Sequence, residues 1–276
     1  MTRSPADASA QALGAAIEGN AVEYWRTCSR YLLAAEFHDD AELTWFITGI
    51  PFAPWFNQVL RTRLAPDDLQ HKITAALATF AQRRLPMLWS AGPSDRPVDL
   101  ANALQARGLT LFGELVGMAI DLEPLADEAP VADLTIERAT GLDGLDRWAQ
   151  AYIGGFEMLE APGRALSELY ADIGFGDDAP FRHFVGLLDG QPVASSTVFL
   201  GERAAGVWHV STLPGARGRG VGAAMTLAPL QHARALGYRL GTLYAAPMGV
   251  NVYRRLGFKE YVTMTQYAWS PPAAEQ

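Results

Sequence analysis

The chain has 276 residues, 49% of them hydrophobic and 19% charged, with a formal net charge of −8 and a pI near 5.1. This composition fits a packed globular protein of two domains or one large one, and it excludes a disordered chain. The acidic balance argues against a nucleic-acid partner, the single Cys28 leaves no internal disulfide framework, and no apolar run reaches bilayer length.

The first dozen residues are small and polar, without a basic leader, so a cytoplasmic protein with no membrane partner is expected. In chain order, Leu13 to Leu33 carries a helical period, with Cys28 expected half-buried on it. Leu43 to Gly49 and Phe56 to Leu64 read as strands. Pro66 to Arg84 reads as a helix, with Asp67 and Asp68 suiting its first turn. A strand at Leu85 to Ser90, a helix at Val98 to Arg107 and a strand at Leu111 to Leu122 follow. Leu122 to Pro130 is acidic and proline-bearing, and it reads as the link between domains 1–128 and 129–276.

The second half continues with a strand at Asp133 to Arg138 and helices at Gly141 to Phe156 and Ala165 to Ile173. Arg182 to Leu188 and Pro192 to Leu200 form a hairpin around Asp189-Gly190, a turn dipeptide between apolar runs. Val207 to Leu213 is a strand, and a helix from Gly220 to Gly237 is expected to bend at Pro229. A strand from Gly241, a short helix from Val250 and a strand through Val262 to Trp269 complete an α/β chain with a mixed sheet.

The most specific stretch is Val207 to Ala224, where an apolar strand runs into Arg217, Gly218, Arg219, Gly220, Val221, Gly222 and Ala223. Glycines let a ligand approach the main chain, a helix start favours negative charge, and arginine forks suit phosphate oxygens. The turn therefore reads as a pyrophosphate cradle. Gly218, Gly220 and Ala223 also fit a dinucleotide fingerprint, but the next strand, Gly241 to Ala246, carries no acid for a ribose. A nicotinamide site remains a poorer alternative.

About 30 residues on comes a second motif, Asn251, Tyr253, Arg254, Arg255, Leu256, Gly257 and Phe258. With both motifs in this order, the chain resembles the GNAT superfamily of N-acetyltransferases. Arg217, Gly220 and Gly222 match its acyl-CoA loop, and Tyr253 to Phe258 match its second signature. The resemblance implies direct transfer of an acetyl group from acetyl-CoA to a primary amine, with no metal and no covalent intermediate. It implies main-chain pairing of pantetheine along Val210, Ser211, Thr212 and Leu213, and Tyr253 as general acid at the CoA sulfur. Asn251 could bond the CoA arm or cap its helix. A catalytically silent acyl-CoA-binding sensor or scaffold is the alternative.

The base is less legible. His209 lies in the strand lining the acyl site and has a suitable ordinary pKa, although it could equally be a structural histidine. Glu157 and Glu160 follow the helix beside which the family builds its acceptor site. Glu168, Asp172, Asp177 and Asp178 extend this acidic stretch against Arg164 alone, an arrangement that would gather cationic amines. Small amines or peptides are the expected acceptors, and an oligomer is left open. Trp148, Tyr152 and Phe156 recur at helical spacing and read as core.

In the first half, Leu104 to Leu109 echoes Tyr253 to Phe258, but nothing there matches the glycine–arginine turn. It reads as a degenerate GNAT-like half without a CoA site of its own. Trp45, Trp55, Phe56 and Trp89 are its candidate packing or lining residues.

Overall fold

Alternating and helical apolar periods set most of the elements, and a few turn residues set where they stop. The computed structural model describes residues 8–51, 53–125 and 131–272, so residues 126–130 of the expected linker lie outside the described residues. The chain runs α1 (Ala10–Ser29), β1 (Glu36–Asp39), β2 (Leu43–Ile47), β3 (Asn57–Thr62), α2 (Leu69–Gln82), β4 (Met87–Ala91), α3 (Leu100–Ala106), β5 (Thr110–Asp121) and β6 (Leu134–Ala139). It continues α4 (Leu142–Phe156), α5 (Glu160–Ile173), β7 (Phe181–Leu188), β8 (Gln191–Leu200), β9 (Ala205–Thr212), α6 (Val221–Ala235), β10 (Leu240–Ala245), α7 (Val250–Arg255) and β11 (Lys259–Trp269).

Packing divides this chain into two units by a different line from the 128/129 division read in the sequence. One unit holds residues 1–24 with 117–261, and the other holds 25–116 with 262–276. The strands β5 and β11 each begin in one unit and end in the other, a trade that no local pattern announces.

In the first unit the strand order is β5-β10-β9-β8-β7-β6. The pairs from β6 to β9 are antiparallel and β9–β10 is parallel, which makes the expected mixed sheet. Asp189 and Gly190 both take left-handed backbone (φ 50° and 75°), as the tight β7–β8 hairpin requires. Trp148 and Tyr170 are fully buried with their ring centres 5.4 Å apart, and Trp148 donates from Nε1 to the Ser196 carbonyl at 3.1 Å. Phe156 departs from the core expectation and is half exposed. The helix α6 runs on through Pro229. The helix α5 starts at Glu160, earlier than the sequence suggested, because Pro162 sits in its first turn, where no N–H is needed.

The second unit pairs β1–β2–β3 antiparallel, β3–β4 parallel and β4–β11 antiparallel. Its core holds Val59, Ile73, Phe80, Met87, Trp89, Leu104 and Tyr267. Trp45 is partly buried against this core, Trp55 is half-buried, and Phe56 is buried. The four-residue strand β1 was missed in sequence because both its end residues are charged.

The two halves repeat a helix–glycine–strand closure. Leu109 N–H donates to Leu104 O at 3.2 Å and Gly108 N–H to Gln105 O at 2.9 Å. At the end of α7, Phe258 N–H donates to Tyr253 O at 3.1 Å and Gly257 N–H to Arg254 O at 3.0 Å. In the first half, however, the space between β3 and β4 is filled by its own chain. Beyond the Gln58–Leu88 and Val59–Trp89 pairs, buried Asp95 accepts from Thr62 N–H and Gly92 N–H, each at 2.6 Å. Arg96 N–H then bonds Thr62 O at 2.9 Å, and Leu64 N–H bonds Arg96 O at 3.0 Å.

Candidate active site

The corresponding space in the second half is open. The strands β9 and β10 register only at Ala205–Gly241 and Gly206–Thr242 among the described residues, although β9 runs on to Thr212 and β10 to Ala245. Leu213 N–H is committed to Val193 O on the β8 side at 2.8 Å. By alternation, Thr212 and Val210 turn their main-chain groups toward the other edge, where β10 has parted from β9. Ser211 faces inward and donates to Ala151 O at 2.9 Å.

A bulge creates the departure. Ser195 pairs with Ser211 and Thr197 with Trp208, so Ser196 faces both His209 and Val210. His209 takes a left-handed backbone (φ 55°), a strain of about 1 kcal/mol for a residue with a Cβ. Local bonds hold it there, including Ser195 Oγ donating to His209 O at 2.9 Å.

At the end of the slot Pro214 opens a short 3₁₀ turn, and the chain then enters the glycine turn. Gly218 (φ 76°) and Gly220 (φ 85°) both need left-handed backbone, which any side chain would strain. Gly220 caps α6, and its carbonyl accepts from Ala223 and Ala224. The N–H groups of Val221 and Gly222 lie in the first turn, where a helix supplies no partner. The Arg217 side chain turns back onto protein, donating to Thr212 O at 3.0 Å, Gly155 O at 2.8 Å and Glu157 Oε1 at 3.0 Å. Arg219 is exposed and has no ion pair among the described residues.

Gly155 allows the end of α4 to lie on β9, since a Cβ there would sit 2.6 Å from Ser211 Oγ and 3.0 Å from Thr212 N. The acidic stretch is partly neutralised: Glu157 pairs with Arg217, and Arg164 bonds both Glu160 and Asp146.

His209 sits in an aromatic enclosure that the sequence did not reveal. Its ring centre is 5.0 Å from Tyr152, 5.9 Å from Trp148, and 6.2 Å from both Tyr170 and Trp208. Its Nε2 is 3.1 Å from Tyr24 Oη, which is in turn 2.7 Å from Tyr170 Oη. Burial pushes the His209 pKa down to about 3, so the ring is neutral at pH 7 and lacks the ordinary range that suggested a base.

His183 is also buried, with its pKa pushed down to about 3, its Nδ1 3.0 Å from Thr197 Oγ1 and its Nε2 without a partner among the described residues. Its folded pKa lies below the unfolded value near 6.5, so the unfolded chain binds the proton first. Stability is therefore lost as pH falls below about 6.5, by about 1.4 kcal/mol per pH unit for each such group. Urea denaturation from pH 7 to pH 4.5 should show this, and His183→Asn should give a visibly shallower acid limb. Equal slopes in the two proteins would remove His183 from the acid response.

Tyr253 is half-buried on α7 with its ring 5.9 Å from Phe258. Desolvation pushes its phenol up to about 12, which keeps the proton on the oxygen. Gly249, not Asn251, caps α7, and exposed Asn251 accepts from Arg254 Nη1 at 3.0 Å. Arg254 also pairs with Glu260.

Comparison with known proteins agrees with this geometry. Residues 179–260 match the family model described as an acetyltransferase (GNAT) domain. A mycothiol acetyltransferase from Cellulomonas flavigena is 30% identical over 218 residues, 71% of this chain, and the match spans 60% of that relative's length. Among solved structures, a GCN5-related N-acetyltransferase from Kribbella flavida superposes with a TM-score of 0.72 at 18% identity, over 94% of this chain and 96% of that one. A tandem GNAT protein from the clavulanic acid biosynthesis pathway superposes at 0.57 with 16% identity, over 88% and 86% of the two chains. With its parted parallel strands, glycine turn and matching relatives, the chain belongs to the GNAT superfamily of acetyltransferases.

Proposed function

We propose that this protein moves an acetyl group from acetyl-CoA to a primary amine of a small molecule by direct transfer. The carrying observation is the gap left where β10 departs from β9, with the glycine turn at one end and Tyr253 on the helix after β10. The main-chain groups of Val210 and the N–H of Thr212 suit the amides of pantetheine, while Arg217 occupies the Thr212 carbonyl, and the first-turn N–H groups of α6 suit pyrophosphate oxygens. Arg219 is the freer cation for phosphate, while Arg217 shapes the loop by tying it to α4.

In the transfer, the amine nitrogen attacks the thioester carbonyl, the carbon–sulfur bond breaks, and the Tyr253 hydroxyl protonates the leaving thiolate. The proton shed by the new amide nitrogen passes through water to restore the phenol. The amine enters after losing its extra proton to water. His209, neutral in its enclosure, accepts a hydrogen bond from that amine and aligns it. The name of the Cellulomonas relative supports a small-molecule acceptor.

One acyl-CoA per chain is expected. In the first half, Asp95 and Arg96 fill the equivalent slot, and the start of α2 carries Asp67 and Asp68 where phosphate would sit. Calorimetric titration with acetyl-CoA should give one equivalent, and NAD should give no heat. Two equivalents would overturn the asymmetry, and tight NAD binding without a CoA response would overturn the reading itself.

A further inference from the structure

We propose that Tyr24, on the N-terminal helix, positions His209 by accepting the Nε2 hydrogen and holding the Nδ1 lone pair ready for the acceptor amine. This inference rests on the transferase reading above. The fully buried Tyr24 is held rigidly: its ring stacks on Trp208 at 4.1 Å and meets Phe181 and Phe199 edge-on at 5.4 and 5.8 Å. The helix is tied to the loop between β8 and β9, with Asn20 Nδ2 donating to Ala204 O and Glu202 N–H donating to Glu23 Oε2, each at 3.0 Å. Through Tyr24 Oη, Tyr170 and His209 share one hydrogen-bonded line.

The proposed tautomer is one of the two that these partners allow, and it is the one that suits an incoming amine. A neutral imidazole has one donor nitrogen and one acceptor nitrogen, and the partner of the first fixes the second. Tyr24 Oη lies within reach of both groups, so it can accept from Nε2–H while its own hydrogen goes to Tyr170 Oη. Nδ1 has no protein partner among the described residues, and His209 keeps partial exposure. In this tautomer the lone pair lies on Nδ1, the nitrogen left to meet a substrate. Without Tyr24 Oη the ring would divide between two tautomers, of which only one can accept from the amine.

Nitrogen-15 NMR of the full chain at pH 7, with His209→Gln for assignment, reads this without any turnover. The expected result is His209 with protonated Nε2 and bare Nδ1, and Tyr24→Phe should mix the tautomers. A hydrogen on Nδ1 in the unmodified protein would overturn the proposal. In kinetics, Tyr24→Phe should lower kcat/KM for the amine about tenfold, the worth of one hydrogen bond, and leave KM for acetyl-CoA unchanged. In a His209→Gln background the same change should cost nothing further, whereas additive losses would overturn the positioning role. If Tyr24→Phe fails to fold, Tyr170→Phe and the tautomer of the unmodified protein still decide. Absence of acetyl transfer would sink the transferase reading, and the NMR result would stand apart from it.

Discussion

Replacing Tyr253 by Phe should lower kcat by about two to three orders of magnitude, the usual worth of a positioned general acid, with acetyl-CoA affinity changed little. The phenol is half-buried and pushed up to about 12, so it holds its proton across the working range and can give it to a thiolate. No side-chain hydrogen bond of its hydroxyl exists among the described residues, so Phe removes the donor without orphaning a partner. Melting temperature should therefore stay put, which separates lost chemistry from lost fold. Because the phenol does not titrate near neutrality, any limb of the pH–rate profile below pH 10 reports another group. Stopped-assay turnover beside calorimetric CoA binding makes the comparison. Unchanged turnover would take Tyr253 out of the mechanism.

A chain starting at Val131 should fail to fold, although it keeps the whole GNAT match. The unit containing the site also uses residues 1–24 and 117–125. Truncation strips away Ile17, Tyr24, Met118, Ile120 and Leu122, all buried. Each such side chain contributes about 2 kcal/mol by burial, and together they rival the roughly 5–15 kcal/mol that keeps a domain folded. Ile120 and Leu122 press on Gly241, where a Cβ would lie 2.9 and 3.0 Å from them, so β10 would lose its neighbour as well. Circular dichroism and thermal melting of the shortened chain test this. A cooperative melt with full activity would show the first half to be dispensable.

Local chemistry wrote several features directly into the sequence. Alternating apolar residues around Asp189-Gly190 gave the β7–β8 hairpin, because both residues accept left-handed backbone. The Gly218 and Gly220 turn and the Tyr253 to Phe258 closure were legible for the same reason: each is decided by residues a few positions apart. The GNAT resemblance rested on the last two of these, the glycine–arginine turn and the Tyr253 to Phe258 signature. The tertiary structure alone decided the rest. Nothing in the sequence around Tyr24 shows that its hydroxyl reaches His209, 185 positions away. Nor does the sequence show that His209 occupies a bulge, since a bulge depends on the register of β8 against β9. Enclosure by Tyr152, Trp148 and Tyr170 moves the histidine out of its ordinary titration range, and helical spacing alone could only mark Trp148 and Tyr152 as core. Arg217 looked like a phosphate ligand by motif, yet packing turns it toward Gly155 and Glu157. Residues close in sequence fix backbone turns, while the charge state and aim of a side chain depend on whatever distant chain folds against it.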